Sequence, residues 1–215
     1  MTALRVSLVC LLAGCAVANP TVAQLDRMKQ DAAAGDRRAV VAEAIACDAA
    51  DPACAQLHLL RGDACFALAR NAEGEARRSL DRCAEGELAH ALGSLMAERT
   101  PLGARRDYAV KYLETLRDLI DTRTAAEPGA APALAAAATR FEQRYPGDPA
   151  GPYYRAGAEL SAAQDRFFAN GDRPALCAAL ASLRPGGNAP QAGFTANYRQ
   201  LAASIHGMRI AGECS

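Results

Sequence analysis

Apolar residues recur along this chain every three or four positions and hardly ever alternate, which is the spacing of amphipathic helices and not of half-buried strands. Asn19-Pro20 supplies a capping side chain followed by proline at the first helical position, and Val22, Leu25 and Met28 continue at helical spacing. Gly35-Asp36 interrupts this run. Val40, Val41, Ala44 and Ile45 then resume the period until Asp51-Pro52 stops it. A second pair follows, with Leu57, Leu60, Ala64 and Leu68 on one stripe, a break at residues 71–74, and Ala76, Leu80 and Cys83 on the partner helix. Thr100-Pro101 opens another helix, whose apolar face carries Ala109, Tyr112, Leu113, Leu116, Leu119 and Ile120. Residues 125–132 are rich in Ala, Pro and Gly and read as a loop. A helix over 133–145 ends at Pro146-Gly147, and Asp148-Pro149 caps the next, which carries Tyr153, Gly157, Leu160, Ala163 and Phe167. Gly171-Asp172 turns the chain into a partner helix with Leu176, Leu180 and Leu183. A loop at 185–190 precedes a last helix near 195–205. The expected fold class is all-α.

The first residues follow a different pattern. Residues 1–5 carry one positive charge, residues 6–13 are almost uniformly apolar, and small residues lead to a cysteine, the layout of an export signal. A transmembrane helix needs roughly 20 apolar residues, and this run is too short. Leu12-Ala13-Gly14-Cys15 resembles the lipobox of bacterial lipoproteins, which implies cleavage after Gly14 and lipidation of Cys15. Ala16 is not the aspartate that commonly retains such proteins at the inner membrane, so the resemblance places the chain on the periplasmic side of the outer membrane. Cleavage after Ala16-Val17-Ala18, releasing a soluble periplasmic or secreted protein, is the alternative.

Composition sharpens the helical reading. Hydrophobic residues make up 51% of the chain but aromatics only 5%, with no tryptophan; much of the apolar content is alanine, a strong helix former that packs closely. The 24 basic and 24 acidic residues balance, which gives no footprint for nucleic acid. Cys10 and Cys15 belong to the signal segment. The other cysteines of an exported chain face an oxidising compartment and are expected to pair. Cys47 and Cys54 flank the turn around Asp51-Pro52, Cys65 and Cys83 lie equally far from Gly74, and Cys177 and Cys214 remain. A Cys54–Cys83 bridge is the main rival. No C-x-x-C pair is present and His58, His90 and His206 are scattered, so neither a metal nor a cofactor is expected.

A helix, a turn and a second helix recur with a period of about 33 residues, the mark of an α-solenoid. Gly35-Asp36 with Ala44, Cys47 and Asp51-Pro52, then Leu60, Gly62, Ala64, Ala76 and Leu80, then Phe167, Gly171-Asp172 and Leu180, resemble the packing and turn positions of tetratricopeptide repeats. The segment from Phe141 to Pro149 is similar to unit-closing stretches of bacterial envelope lipoproteins of this type. The resemblance implies a disulfide-braced α/α repeat superhelix. It divides the chain into a signal peptide at 1–14, helical hairpins at 15–98, a long helix and loop at 99–130, and a C-terminal hairpin with a capping helix at 131–215. The cysteine-clamped cousins of these repeats support Cys47–Cys54, while the repeat register keeps Cys54–Cys83 open.

Catalytic signatures are missing from the pattern. His58 lies in a leucine-rich helix, Asp63, Glu73, Glu75, Glu85 and Glu87 read as solvated faces, and Ser161 and Ser204 have no catalytic context. No enzyme activity is expected. Helical repeats instead offer a concave surface to a peptide or partner helix. Tyr153, Tyr154, Arg155 and Phe168, followed by Arg106 and Tyr108, are the candidate partner-binding residues, since aromatics and arginine dominate interface energetics. The expected function is an interaction scaffold in envelope assembly or secretion, bound to the membrane through the Cys15 lipid and to another protein through its helices. An immunity-type inhibitor of a periplasm-acting toxin is the alternative, and an envelope enzyme is a third reading.

Overall fold

A computed structural model of the protein describes residues 19–93, 105–122, 130–183 and 195–214. Cys15 and the lipobox, the Thr100-Pro101 helix start and the 185–190 loop lie outside the described residues. Within them the chain is all-helical, with no strand. The helices are α1 (Pro20–Ala33), α2 (Arg37–Ala42), α3 (Pro52–Ala69), α4 (Gly74–Gly93), α5 (Arg105–Asp121), α6 (Ala130–Arg144), α7 (Ala150–Asn170), α8 (Arg173–Ser182) and α9 (Thr195–Ala211). None of these helices is long and apolar enough to cross a membrane.

The caps are local and largely legible. Asn19 Oδ1 accepts the Thr21 amide at 3.0 Å, and its Nδ2 donates to Asp51 Oδ2 at 2.9 Å. Asp51 in turn accepts the Ala53 amide, so one pair of side chains starts α1 and α3 and ties the two starts together. The Asn19 hydrogen bond, with the Ala53 amide, holds the Asp51 carboxyl below its usual range. The two Gly-Asp turns are built alike. Gly35 and Gly171 take left-handed φ of 80° and 66°, and Asp36 and Asp172 each accept the amide three residues on at 3.0 Å.

Two expectations change. The helix after Asp36 ends at Ala42, before Ala44 and Ile45, because Glu43 turns extended (φ −67°, ψ 121°). Side chains from neighbouring helices hold that exit: Gln24 Nε2 donates to the Ala44 carbonyl at 2.6 Å and Arg61 Nε to the Val41 carbonyl at 3.1 Å. Residues 43–50 thus form an irregular strap leading to Cys47. The helix expected from 133 begins instead at Ala130, since Pro132 falls in the first turn, where its missing N–H costs nothing.

The helices pack in a simple order. Among the described helices, each odd-numbered one touches the next odd one, from α1 through α9, while α2, α4, α6 and α8 touch only the described helices on either side of them. Gly62 permits a close crossing of α3 and α4: a Cβ there would lie 2.9 Å from Leu88 side-chain carbons and 3.2 Å from the Leu88 nitrogen. Three apolar clusters result. The first joins Leu25, Met28, Val40 and Leu57 across α1–α3; the second joins Leu59, Cys65, Ala84 and Leu88 across α3 and α4. The largest runs through α5 to α9 and includes Leu113, Leu134, Phe141, Leu160 and Leu180. Cys47 pairs with Cys54, Cys65 with Cys83 and Cys177 with Cys214, at Cα–Cα separations of 5.5, 6.0 and 5.3 Å. A Cys54–Cys83 bridge is not formed, because both sulfurs are engaged elsewhere.

Candidate functional site

A groove of about 630 Å³ opens where the C-terminal end of α4, the start of α5 and the end of α6 converge. Helical spacing builds its walls. Tyr108 and Tyr112 stand one turn apart on α5, Arg140 and Arg144 one turn apart on α6, and Leu59, Leu113 and Phe141 reach it from the core. Tyr145 closes one end, with its ring 4.7 Å from that of Phe141. Burial raises both phenol pKa values, helped at Tyr108 by Asp63 and at Tyr112 by Glu85, so both hydroxyls stay protonated at neutral pH. Lys111 Nζ lies 5.3 Å from the centre of the Tyr108 ring and pairs with Asp63. The groove is therefore apolar below, phenolic on one wall and cationic on the other.

Of the anticipated binding residues, Tyr108 lines this groove. Arg106 does not: it grips Asp148 through Nε at 2.5 Å and Nη2 at 3.2 Å, tying α5 to the turn before α7. Burial pushes the Asp148 carboxyl up, but Arg106 and the Ala150 amide more than offset it and hold it low. Tyr153 and Tyr154 are core residues, at 9% and 3% exposure, and belong to no surface. Their rings meet edge to face at 4.9 Å, and Tyr153 meets Tyr198 likewise at 5.4 Å. In a chain without tryptophan, the few large side chains are needed to fill the space between α5, α7 and α9. Arg155 is committed to Glu142 at 2.9 Å and Glu159 at 3.3 Å. Phe168 alone of the set is strongly exposed, at 75%.

Toward the opposite ends of α4 and α5 from the groove runs a charged seam, which Arg70 joins from just beyond α3. Arg70 reaches Glu114 at 2.7 Å and Asp118 at 3.6 Å; Arg77 reaches Asp118 at 3.2 Å and Asp81 at 3.7 Å. Asp81 is fully enclosed, at 1% exposure, and neither carboxylate oxygen has a hydrogen bond. Burial first, then the neighbouring Asp118 charge, push its pKa up to about 6 against the pull of Arg77 and Arg70. The apolar pattern does not announce this seam, because Asp81 occupies a position on α4 that helical spacing also assigns to the core.

The structure also gathers groups that look scattered in sequence. One ring nitrogen of His58 and the sulfurs of Cys47 and Cys54 all lie within 4.8 Å of one another. His58 Nδ1 is 2.5 Å from Glu87 Oε2, Arg61 pairs with the other Glu87 oxygen at 3.2 Å, and the His90 ring centre is 3.9 Å from that of His58. The missed signal is Cys54-x-x-x-His58, an i, i+4 pair on one helix face.

The described chain is thus an all-helical protein with three cysteine pairs and one phenol- and guanidinium-lined groove. Comparison with protein-family models, curated proteins and solved structures finds no match to it.

Proposed function

We propose that this chain is a lipid-anchored interaction scaffold on the periplasmic side of the outer membrane, a tetratricopeptide-like α/α superhelix that serves envelope assembly or secretion. It is a binding protein, not an enzyme. The observation that carries this reading is the groove, where Tyr108 and Tyr112 face Arg140 and Arg144 above an apolar floor. Aromatic and arginine side chains around a concave apolar surface are the composition of binding hot spots, and two guanidinium groups favour an acidic segment of the partner. The alternation of odd helices in mutual contact with even helices between them supports the repeat arrangement. The lipid anchor rests on the Leu12-Ala13-Gly14-Cys15 block.

The second reading, an immunity-type inhibitor of a periplasm-acting toxin, draws on a different face. Phe168 on α7 stands three-quarters exposed, as an apolar residue that plugs a partner's cleft would. Site-specific photo-crosslinking in cells separates the two. A crosslinker replacing Gln143, an exposed groove residue, should trap a partner, and Arg140→Glu should cut that product at least tenfold. A product formed from position 168 and not from 143 favours the inhibitor. If neither position crosslinks, the scaffold reading fails.

A further inference from the structure

We propose that reduction of the Cys47–Cys54 disulfide converts its surroundings into a Cys2His site for a thiophilic divalent cation such as zinc, with Cys47, Cys54 and His58 as ligands. The geometry is already close. Tetrahedral zinc with sulfur at about 2.3 Å and nitrogen at about 2.0 Å needs ligand atoms about 3.5–3.8 Å apart. The two sulfurs and one His58 nitrogen already fall within 4.8 Å of one another. Cys54 and His58 are one turn apart on α3 and fixed by it, whereas Cys47 sits on the irregular 43–50 strap. Opening the sulfur–sulfur bond to ligand spacing therefore asks movement only of the strap.

The support around His58 has the form of a metal site's outer shell. Glu87 Oε2 engages His58 Nδ1, fixing ring orientation and raising the basicity of the other nitrogen, and Arg61 holds Glu87 in turn. That leaves Nε2 as the coordinating nitrogen. Water fills the fourth position.

The redox step balances with an external protein dithiol as reductant. Its thiolate attacks the sulfur of Cys47, the half-buried member of the pair, forming a mixed disulfide and expelling Cys54 as thiolate. The reductant's second thiol then displaces Cys47, so two electrons and two protons pass to this chain and the reductant leaves as a disulfide. Cys54, buried in the first turn of α3, is the sulfur that the helix holds in place as Cys47 is drawn off on the strap. The cation binds both thiolates and neutral imidazole and releases the thiol protons. The other bridges are less suited: Cys65 is fully buried, and no histidine joins either pair within ligand distance among the described residues.

The test uses Co2+ as a spectroscopic probe on the full chain, oxidised and after mild dithiol reduction, with the reduced cysteines identified by alkylation and mass spectrometry. Unalkylated reduced protein, in which alkylation of a parallel aliquot maps the newly reduced thiols to Cys47 and Cys54 alone, should show sulfur-to-cobalt charge transfer and tetrahedral d–d bands, displaced by Zn2+. Oxidised protein should show neither. His58→Ala should weaken Co2+ binding at least tenfold with the thiol count unchanged, and Cys47→Ser/Cys54→Ser, which leaves no odd thiol, should abolish it. Bands that persist in that double variant, affinity unchanged in His58→Ala, or reduced protein that retains its helical circular dichroism without binding Co2+ would each overturn the assignment.

Discussion

Asp81→Asn should stabilise this protein at neutral pH, although it removes a charge that faces an arginine. A carboxyl whose pKa is raised on folding favours the fold only while protonated, so stability is lost as pH rises from the unfolded value of 3.8 to about 6. At pH 7 and above, the native state bears the full cost of ionised Asp81. A shift of roughly two units at about 1.4 kcal/mol each sets that cost near 3 kcal/mol. Arg77 does not cancel it, because it is 3.7 Å away and shared with Asp118 at 3.2 Å. Asparagine keeps the shape and removes the charge, but its amide also needs partners, so a gain of about 1–3 kcal/mol is expected at pH 7.5. For a chain of this size that raises Tm by about 3–10 °C. Urea and thermal unfolding followed by circular dichroism, from pH 4 to pH 8, give the comparison. The two stability curves should draw apart between about pH 4 and pH 6 and keep a constant gap above that. A variant less stable than wild type at pH 7.5 would show that the Arg77 ion pair outweighs desolvation. Parallel curves would show that Asp81 does not titrate in this range. Either result refutes the reasoning.

Gly62→Ala should destabilise by about 1–3 kcal/mol in urea unfolding, since the added methyl meets Leu88 in a crossing with no spare space. An unchanged midpoint would mean that α3 and α4 part at little cost. Cys65→Ala/Cys83→Ala should cost about 3 kcal/mol, the chain-entropy value for a bridge spanning 18 residues, read by chemical unfolding under oxidising conditions. Cys15→Ser should move the protein from the detergent phase to the aqueous phase on phase separation, and continued partition into detergent would remove the anchor from the account.

Helix positions were legible because most signals were local: Asn19, Asp36, Asp51 and Asp172 each cap through their own side chain to an amide two or three residues away. What the sequence pattern missed was decided by neighbours distant along the chain. The second helix stops at Ala42 because Gln24 and Arg61 compete for the carbonyls of Ala44 and Val41, a choice that periodicity cannot register. Tyr153 and Tyr154 suggest a surface when judged by residue type, but helical spacing from Gly157 and Leu160 already turns that face toward the core. The groove drew on Tyr108 alone of the anticipated residues, since Arg140 and Arg144 gain meaning only once α6 lies beside α5. Asp81 and the Cys–His cluster were hidden for the same reason: each is defined by side chains from two or three segments.

The groove's position explains why a seam of charges lies further along the same helices. Tyr108 and Tyr112 pack against the small cluster of α3 and α4, while Ala109, Tyr112 and Tyr145 pack against the large cluster of α5–α9. The groove therefore straddles a boundary between two cores, where alanine-rich helices offer little apolar area to fix their separation. Arg70 and Arg77, reaching from the α3–α4 hairpin to Glu114 and Asp118 on α5, set that separation with directional contacts instead. These pairs are half-buried, so salt screens them less than surface pairs but more than a sealed core. Binding in the groove should thus weaken with ionic strength for two separable reasons: screening of Arg140 and Arg144 toward the partner, and loosening of α5 against α4. Asp81→Asn touches only the second. If it preserves affinity at low salt while altering the steepness of the salt dependence, the seam governs the groove's width; if the two salt profiles superimpose, it does not.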